Sequence, residues 1–404
     1  MWDEYFDTNT VSEIRLKTTV YFGPGAIAKI DGIIETLKAR GVKQVLCMTG
    51  GRSYKLTGAY DYVESACKKH GVGITLYNKV TPNPTTTSID EAASLARKDG
   101  AAAVIGIGGG SPIDAGKSVA VLLAYPGRTA EELYTFKFIP EHAVPLIAIN
   151  LTHGTGTEVD RFAVATIPHL NFKPAIAYDS IYPLYSIDDP ALMTKLAPNQ
   201  TRYVSIDAVN HVVEAATSIA ANPLSIAFAA ETIRLVAKYL PKAIENPEDI
   251  KARYALLYAS MVAGSGFDNG LLHFTHALEH PLSGMKPELT HGLGLSILLP
   301  AVILECYPAR PKVFAEILAP LVPGLKGEPD EAYVAASGVE KWLASVGVPE
   351  KLKDVGFTEK DIEPLVKLTF ETPSLSGLLG VAPVEGTPER VKRIYTNSLK
   401  PMGK

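Results

Sequence analysis

One stretch of the chain, residues 207–291, concentrates side chains that could bind a metal ion. Five of the nine histidines lie in it: His211, His273, His276, His280 and His291. Asp207 and His211 stand four residues apart in a segment with helical apolar spacing, so both project from one helix face. His276 and His280 repeat that spacing on a second segment. A carboxylate and several imidazoles, with no cysteine among them, are nitrogen and oxygen ligands for a divalent transition metal.

The alternative is that these pairs are ordinary hydrogen-bonded polar groups at a helix interface, which is the commoner role for a single pair. The surroundings of Asp207 favour the metal. Its helix is apolar nearly all round, through Ile206, Val209, Val212, Val213, Ala215 and Ala216. Such a helix is buried, and a buried carboxylate is costly unless it is paired or metal-bound. No lysine or arginine lies between Tyr203 and Glu231 to pair with it. The spacing does not by itself bring the two segments together.

Length and composition limit the class of protein. A chain of 404 residues predicts two domains, and 47% apolar with 20% charged residues indicates a large buried core. The balance of 39 basic and 43 acidic side chains argues against nucleic-acid binding. Three unclustered cysteines favour a reducing compartment. Without a signal-like N-terminus or an apolar run of about 18 residues, we expect a cytoplasmic location and no membrane span.

The first half of the chain alternates strand patterns with helix patterns. Predicted strands cover 16–23, 43–48, 74–77, 102–107, 146–150, 162–166 and 175–178, and predicted helices cover 26–40, 58–70 and 89–99, the last with Ser88 as its N-cap. This alternation predicts a parallel sheet with helices on both faces. From about residue 200 the periodicity is helical. We place the boundary near Asp188, giving an α/β domain over 1–188 and an all-helical domain over 189–404.

A glycine-rich turn, GIGGGSPIDAGK at 106–117, follows one of the predicted strands and opens a helix. Glycines let the backbone approach a ligand, and a helix N-terminus offers free N–H groups to a pyrophosphate. Neither of the two common phosphate motifs fits, because Ser111 stands where each requires a glycine. The alternative is a tight strand-to-helix turn without a ligand.

A second candidate cofactor loop, TGGRSYK at 49–55, ends the second predicted strand. In dinucleotide-binding sheets this strand end commonly carries an acidic residue for the adenosine ribose, whereas arginine accommodates a 2′-phosphate. Here Gly50 and Gly51 leave room, while Arg52, Ser53 and Lys55 supply donors and positive charge. The loop predicts a preference for NADP(H) over NAD(H), unless it is merely a solvated basic loop.

Several blocks of the sequence together resemble the iron-containing (group III) alcohol dehydrogenases. These blocks, in the order that the family has them, are GGGSPIDAGK at 108–117, THGTGTEV at 152–159, KPAI at 173–176, DP at 189–190, DAVNHVVEA at 207–215, HALEHPLSG at 276–284 and HG at 291–292. The resemblance implies a dehydroquinate synthase-like architecture, in which a Rossmann-like dinucleotide domain precedes a helical domain and the site lies in the cleft. It also implies a homodimer or larger homo-oligomer.

The resemblance assigns roles to individual residues. The implied metal ligands are Asp207, His211, His276 and His291. His280 matches a histidine beside the nicotinamide that relays protons. The implied or predicted cofactor-binding residues are Gly50, Gly51, Arg52, Ser53, Lys55, Gly108, Gly109, Gly110, Ser111, Asp114, Lys117, Thr152, Thr155 and Lys173. The metal is Fe²⁺ by the family name, with Zn²⁺ or another divalent ion as alternatives, because ligand type does not select among them.

Four features depart from the family pattern, and one of them is Asp160, which stands where the family often has threonine. His153 stands where a small or hydroxyl residue is usual, so it either lines the substrate pocket or hydrogen-bonds within its loop. His273 lies off the ligand pattern, and we expect it to be structural. Beyond residue 370 the family's usual signals are hard to find, so the stretch 370–404 is left without a role.

The expected reaction is reversible hydride transfer between a small primary alcohol, or its aldehyde, and the nicotinamide. The metal would act as a Lewis acid on the substrate oxygen, and His280 would pass the proton toward solvent. We expect Asp207, His276 and His280 to carry the catalysis. The main alternative is a lyase of the dehydroquinate synthase type, but Lys286 is the only cation between Gly270 and Pro300 for a phosphate-bearing substrate. A metal-independent reductase and a non-catalytic nucleotide-binding module leave the histidines unexplained.

Overall fold

The computed structural model describes residues 5–6 and 9–403. The chain forms two compact units, which are described separately. The α/β unit comprises Leu16–Ala197 together with Asn246–Met261. The helical unit comprises the segment up to Arg15, then Pro198–Glu245 and Val262–Lys404.

The α/β unit is built on a six-stranded sheet in which every pairing is parallel. Its strands, in sheet order, are β1 (Thr19–Phe22), β8 (Tyr185–Asp188), β5 (Leu146–Asn150), β4 (Ala103–Gly108), β2 (Gln44–Thr49) and β3 (Gly73–Tyr77). A separate antiparallel pair joins β6 (Phe162–Val164) to β7 (Ala175–Ala177). The helices are α1 (Ile30–Ala39), α2 (Ser53–Leu56), α3 (Ala59–His70), α4 (Thr86–Lys98), α5 (Gly110–Ala124) and α6 (Ala130–Tyr134). The predicted parallel sheet is confirmed.

Burial explains why the central strands are apolar throughout. All residues of β4 and β5 are buried, as expected for parallel strands covered on both faces. Alternate residues of β2 point to opposite faces of the sheet and belong to two different hydrophobic cores. Leu46 and Met48 pack in one core, and Val45 and Cys47 pack in the other. The carboxyl ends of β2, β4 and β5 lie side by side, since Gly108 pairs with Asn150 and Ile107 with Thr49. Ligands bind at this edge in open parallel sheets.

Two of the differences between the observed and the predicted elements have a clear local cause. Helix α4 begins three residues earlier than predicted because Thr85, not Ser88, is its N-cap; Ser88 is the third helical residue and completes a capping box with Thr85. The strand β8 was not predicted. It has only four residues, and the last of them, Asp188, is ionisable. The three residues before it, Tyr185–Ile187, are too few to show a recognisable strand pattern.

The units also divide differently from the predicted boundary at 188/189. The α/β unit continues to Ala197 and takes in 246–261. The inserted segment is the first part of α9 (Ile250–Gly270). Its Tyr254 packs edge-on against Phe22 at the end of β1, with ring centroids 4.7 Å apart. These tertiary contacts, which helical periodicity does not reveal, assign the segment to the α/β unit.

The helical unit contains the remaining helices. They are α7 (Pro198–Thr217), α8 (Pro223–Glu245), the end of α9, α10 (Phe274–Met285), α11 (His291–Cys306), α12 (Pro311–Leu318), α13 (Ala332–Ser345), α14 (Ile362–Glu371), α15 (Leu375–Gly380) and α16 (Pro388–Asn397). The prediction that the second half of the chain is helical is thus confirmed. Pro281 and Pro300 lie inside α10 and α11, so these prolines do not end their helices.

Helix α11 is the most apolar element of the unit. With the turn that follows it, at His291–Ala309, it is long and apolar enough to cross a membrane by length and composition. However, 72% of its most apolar window is buried inside the protein. The central helix of a globular core has the same properties, and this is the role that α11 has here.

Candidate metal centre and cofactor loops

Two helices and the start of a third carry the predicted metal ligands. Asp207 and His211 lie one turn apart on α7, His276 lies near the start of α10, and His291 is the first residue of α11. Asp207, His211 and His276 are only 2–5% exposed. The His291 side chain is 27% exposed. The structure therefore brings together segments that are far apart in the sequence.

Three of the four predicted ligands form a tight group. One ligand atom each from Asp207, His276 and His291 lies within 4.8 Å of the others. The fourth, His211, places its Nε2 3.5 Å from Asp207 Oδ1. Its ring also stacks on that of His276 with centroids 4.6 Å apart. The four side chains therefore face one shared space.

The unsatisfied atoms in this space indicate a cation. Asp207 Oδ1 and His276 Nε2 are buried and lie 3.8 Å apart, too far for a hydrogen bond. Among the described residues, neither atom has a hydrogen-bond partner. Buried polar atoms without a partner need an explanation, and a divalent ion coordinated by both supplies one. The donor set of one carboxylate and three imidazoles suits Fe²⁺, Zn²⁺, Co²⁺ or Ni²⁺.

A buried glutamate, Glu214, orients the ligand His276. It lies one helical turn beyond His211 on α7 and is 0% exposed. One carboxylate oxygen accepts the backbone N–H groups of His273 and Thr275 at 3.0 and 2.7 Å. The other oxygen accepts a hydrogen bond from His276 Nδ1. Glu214 therefore caps the start of α10 and keeps the proton of His276 on Nδ1, which leaves Nε2 available to a metal.

A second buried glutamate, Glu279, plays the same part for His291. It is 0% exposed, and Oε2 accepts a hydrogen bond from His291 Nδ1 while Oε1 accepts one from Ser283. Neither Glu214 nor Glu279 is among the site residues predicted from the sequence. A signal for Glu214 was present, because a carboxylate seven residues after Asp207 lies on the same face of the same buried helix.

The charges of the metal-free site follow from burial and from these contacts. Burial raises the pKa of Asp207, but His211, His276 and His291 outweigh it and bring the pKa to about 2. Burial also raises the pKa of Glu214, and His276 brings it down to about 2. Burial lowers the pKa of His211 to about 4. For His276 burial is again opposed, here by Glu214 and Asp207, and the pKa rises to about 9.

Metal uptake should therefore depend on pH. A ligating imidazole must be neutral, so at neutral pH the ion has to displace a proton from His276. We expect the metal affinity of the metal-free protein to rise about tenfold per pH unit from pH 7 to 9 and then to level off. In stability terms, the raised pKa of His276 stabilises the metal-free fold below pH 6.5, and this contribution is lost as the pH rises through 9. Competition with a chromophoric chelator across pH 6.5–10 measures the slope, and a flat profile contradicts the assignment.

The two other histidines of the stretch have distinct environments. His280 lies one turn after His276 on α10, with its ring centroid 5.8 Å from that of His291 and 3% of its surface exposed. It is thus adjacent to the ligands. His273 is buried; its Nδ1 accepts the backbone N–H of Phe274 at 2.8 Å, and its Nε2 lies 3.0 Å from the Thr217 hydroxyl. The Nε2 contact links α10 to α7, and the Nδ1 contact caps the first turn of α10, as expected for a structural residue.

The C-terminal stretch, which the sequence left without a role, supports these helices. Tyr395 on α16 is buried and donates a hydrogen bond from its hydroxyl to the Leu278 carbonyl of α10 at 2.7 Å. Its hydroxyl also lies 3.1 Å from that of Thr369 on α14. Glu305, at the end of α11, pairs with Arg390 and Arg393 of α16. The last helices therefore hold α10 and α11, which carry His276 and His291.

In the α/β unit, the glycine-rich turn packs closely against the loop that follows β5. Gly109 and Gly110 lie between the end of β4 and the first turn of α5. A Cβ on Gly109 would stand 2.8 Å from Thr152 Oγ1, and one on Gly110 would stand 2.9 Å from Thr155 Cγ2. A side chain at either position would therefore force the facing threonine to shift. The exposed surface of this turn is backbone at the start of a helix of 15 residues, which suits a pyrophosphate.

Asp114 and Lys117, which were predicted to bind the cofactor, have partners inside the protein. Lys117 is 0% exposed, and its Nζ contacts Thr157 Oγ1 at 2.8 Å and Asp160 Oδ1 at 2.7 Å. Asp114 accepts hydrogen bonds from the Thr157 hydroxyl at 2.6 Å and from the Val164 N–H at 3.0 Å. Their side chains join α5 to the segment 157–164. Their contact with a cofactor stays a prediction.

Most of the remaining predicted cofactor residues follow the carboxyl ends of β2, β4 and β5. Gly50 and Gly51 follow β2, and Arg52, Ser53 and Lys55 are exposed at the start of α2. Ser111 and Thr155 are partly exposed beside the glycine turn, whereas Lys173 is only 4% exposed. Their contact with a dinucleotide stays a prediction.

His153 hydrogen-bonds inside the fold, but its partner lies outside its own loop, on α9. It is 0% exposed, and its Nε2 accepts a hydrogen bond from Arg253 Nη1 at 2.8 Å. Burial, followed by the charge of Arg253, lowers the pKa of His153 to about 3, so the ring is neutral. Arg253 belongs to α9, and this contact helps to attach that segment to the α/β unit.

Comparison with known proteins extends these observations over the whole chain. Residues 17–190 match the family model for iron-containing alcohol dehydrogenases, and residues 201–399 match the C-terminal model of the same family. The crystal structure of NADH-dependent butanol dehydrogenase A from Thermotoga maritima superposes with a TM-score of 0.87 at 30% identity, covering 97% of this chain and 99% of that one. The predicted dehydroquinate synthase-like architecture is thereby confirmed.

Curated relatives agree with the family models. The long-chain primary alcohol dehydrogenase AdhA of Thermoanaerobacter ethanolicus is 59% identical over 98% of this chain and 100% of its own length. The NAD-dependent methanol dehydrogenase of Bacillus methanolicus is 32% identical over 92% and 96%, respectively. Both halves of the chain match in order and along nearly their full length, and the chain therefore belongs to the iron-containing alcohol dehydrogenase family and is an alcohol dehydrogenase.

Proposed function

We propose that the protein interconverts primary alcohols and aldehydes, with NADP(H) as the hydride carrier and a divalent metal held by Asp207, His211, His276 and His291. The observation that carries this proposal is the convergence of Asp207, His276 and His291, with two buried ligand atoms left unsatisfied. The metal, when bound, supplies Lewis acidity toward the oxygen of the alcohol or aldehyde. The nicotinamide supplies or accepts the hydride.

The protein's own residues orient the ligands and move a proton. Glu214 and Glu279 fix the rings of His276 and His291, so that the geometry of the site is set before the ion arrives. His280 lies beside His291 without being one of the predicted ligands. We assign it the transfer of the proton that leaves the alcohol hydroxyl, since imidazole titrates near neutral pH.

The proposed substrates are primary alcohols over a range of chain lengths. The relative that is 59% identical is named for long-chain primary alcohols, and another at 31% identity, from Geobacillus thermodenitrificans, is also named for long-chain alcohols. The expectation of a small alcohol is therefore widened to include long chains. The function is tested by following NADPH and NADH at 340 nm with alcohols from methanol to dodecanol and with the corresponding aldehydes. Each assay is run with and without chelator. Turnover that chelator leaves unchanged, or none with any alcohol, contradicts it.

The lyase alternative gains no support from the position of Lys286. Its Nζ donates to the Val355 carbonyl at 3.1 Å and lies 4.4 Å from the centroid of the Phe357 ring. The cation is thus engaged in packing.

The preference for NADP(H) rests on the loop after β2. Gly51 has open space around the position of a Cβ, so the backbone leaves room for a bulky anion there. Arg52, Ser53 and Lys55 are exposed next to it and could bind a 2′-phosphate. Two similar proteins are named for NAD or NADH, so this loop is where the present chain is proposed to differ from them.

Replacing Arg52 should test this preference directly. We expect Arg52→Gln to raise the dissociation constant for NADPH about 10–100-fold and to change that for NADH less than threefold, since a charge-assisted contact to phosphate contributes roughly 1.5–3 kcal/mol. Titration of nucleotide fluorescence measures both constants. Arg40→Gln is the matched control, because Arg40 is exposed on the same unit at the end of α1. Equal losses for NADPH and NADH contradict the proposal.

A further inference from the structure

A buried amide at the end of β5 connects two neighbouring strands. Asn150 is the last residue of β5 and pairs in register with Asp188 at the end of β8. Both side chains are at most 1% exposed. Asn150 Nδ2 donates a hydrogen bond to Asp188 Oδ1 at 3.1 Å. The backbone carbonyl of Asp188 in turn accepts the Gly23 N–H at 2.9 Å, so the strand end that receives the amide is itself fixed.

The other end of the amide holds the loop beside the glycine turn. Asn150 Oδ1 accepts the backbone N–H of Thr152 at 3.0 Å and lies 3.4 Å from the Thr152 hydroxyl. A backbone N–H can only donate, so the amide has one allowed orientation, with its oxygen toward Thr152 and its nitrogen toward Asp188. Thr152 in turn packs against Gly109, where an added Cβ would stand 2.8 Å from its Oγ1.

The surroundings of Asp188 show why an amide is needed as the connector. Asp188 and the nearby Glu158 are both 0% exposed. Burial raises the pKa of Asp188 to about 7, and burial together with Asp188 raises that of Glu158 well above its ordinary value. A third carboxylate at position 150 would add like charge to this buried pair, whereas an aliphatic side chain would satisfy neither Asp188 nor Thr152.

We propose that Asn150 is a positioning residue for the dinucleotide: anchored on Asp188, it sets Thr152 against the glycine turn that receives the pyrophosphate. This rests on the proposed function, in which that turn binds NADP(H). The route from β8 through Asn150 and Thr152 to Gly109 is a continuous series of contacts within the α/β unit. Without the amide, the backbone of Thr152 loses its hydrogen bond and Thr152 no longer has a fixed position against Gly109. Dinucleotide binding therefore weakens, while the metal centre on the helical unit keeps its ligands.

An exchange of the two side chains tests the proposal. In Asn150→Asp, the amide donor to Asp188 is lost and two buried carboxyls face each other; at pH 9, above the pKa of about 7 of Asp188, we expect the dissociation constant for NADPH to rise about tenfold or more. Asp188→Asn keeps an oxygen that can accept from Asn150 and should weaken binding less. In the double variant the amide at 188 donates to the carboxylate at 150, which still accepts from Thr152, so NADPH binding should return to within about threefold of wild type. Recovery by exchange is not expected of two independent structural defects.

The readouts separate positioning from general damage. The KM for NADP(H) should rise in Asn150→Asp while kcat at saturating cofactor and the bound metal per chain stay within about twofold of wild type. Asn171→Asp, an exposed change of the same kind in the same unit, is the control. If Asn150→Asp does not fold, Asn150→Leu and the double variant decide. Wild-type NADPH affinity in the single variants, or a double variant that binds no better than Asn150→Asp, overturns the inference. A wild-type protein that binds neither dinucleotide overturns the proposed function and the inference with it.

Discussion

Replacing His276 by alanine is expected to remove the bound metal and most of the activity together. His276 offers Nε2 to the site, 3.8 Å from Asp207 Oδ1 and within reach of His291. Without it, the ion keeps a single firmly oriented imidazole, that of His291. Since a metal supplies several kcal/mol of transition-state stabilisation, we expect kcat to fall about a thousandfold or more. Elemental analysis of the purified protein and steady-state kinetics measure the two effects on one sample.

A comparison with His291→Ala and His280→Ala makes this result specific. His276→Ala also leaves Glu214 buried without its imidazole, so part of its effect could come from a weakened fold. His291 is more exposed, at 27% of its side chain, and its removal should give the same joint loss at a smaller cost in thermal stability. His280→Ala should keep the metal and alter the pH–rate profile instead. A metal-free His276→Ala protein with full activity would end the metal hypothesis.

The sequence indicates which side chains could bind a metal, but it does not show that the helices carrying them pack together. The spacing of Asp207 and His211 fixes them on one face of a helix, and the apolar surroundings identify that helix as buried; both are local properties. That α7 packs against α10 and the start of α11 is a tertiary fact, and at the level of the sequence it rested on resemblance. The same holds for 246–261, whose helical pattern says nothing of the partner that Tyr254 and Arg253 find in the α/β unit.

Proline does not mark the ends of two helices in the helical unit. Pro281 and Pro300 lie within α10 and α11, although a proline in a helical pattern usually marks a helix end. Proline removes one backbone donor, and in α10 the neighbouring turn is held from outside, where Tyr395 binds the Leu278 carbonyl. Contacts of this kind between helices cannot be recognised from the proline alone.

The second large effect is expected from Glu214→Gln, a change that preserves the size of the side chain. The glutamine oxygen can still accept the N–H groups of His273 and Thr275, so the cap of α10 survives. Its amide nitrogen, however, now faces His276 Nδ1 and donates to it. The imidazole proton must then move to Nε2, the atom that the metal needs. Loss of such an outer partner typically costs 10–100-fold in metal affinity, and we expect a loss in this range by chelator competition.

Glu158→Gln is the matched control, because Glu158 is equally buried but lies in the α/β unit; its metal affinity should equal that of wild type. A loss of the same size in both variants would contradict a specific role for Glu214. The pH dependence provides an independent check. Among the groups that raise the pKa of His276 to about 9 against burial, Glu214 is the strongest and Asp207 the other, so without the charge of Glu214 the rise in metal affinity with pH should level off well below pH 9. If the slope persists in Glu214→Gln, the proton displaced by the metal does not come from the Glu214–His276 pair.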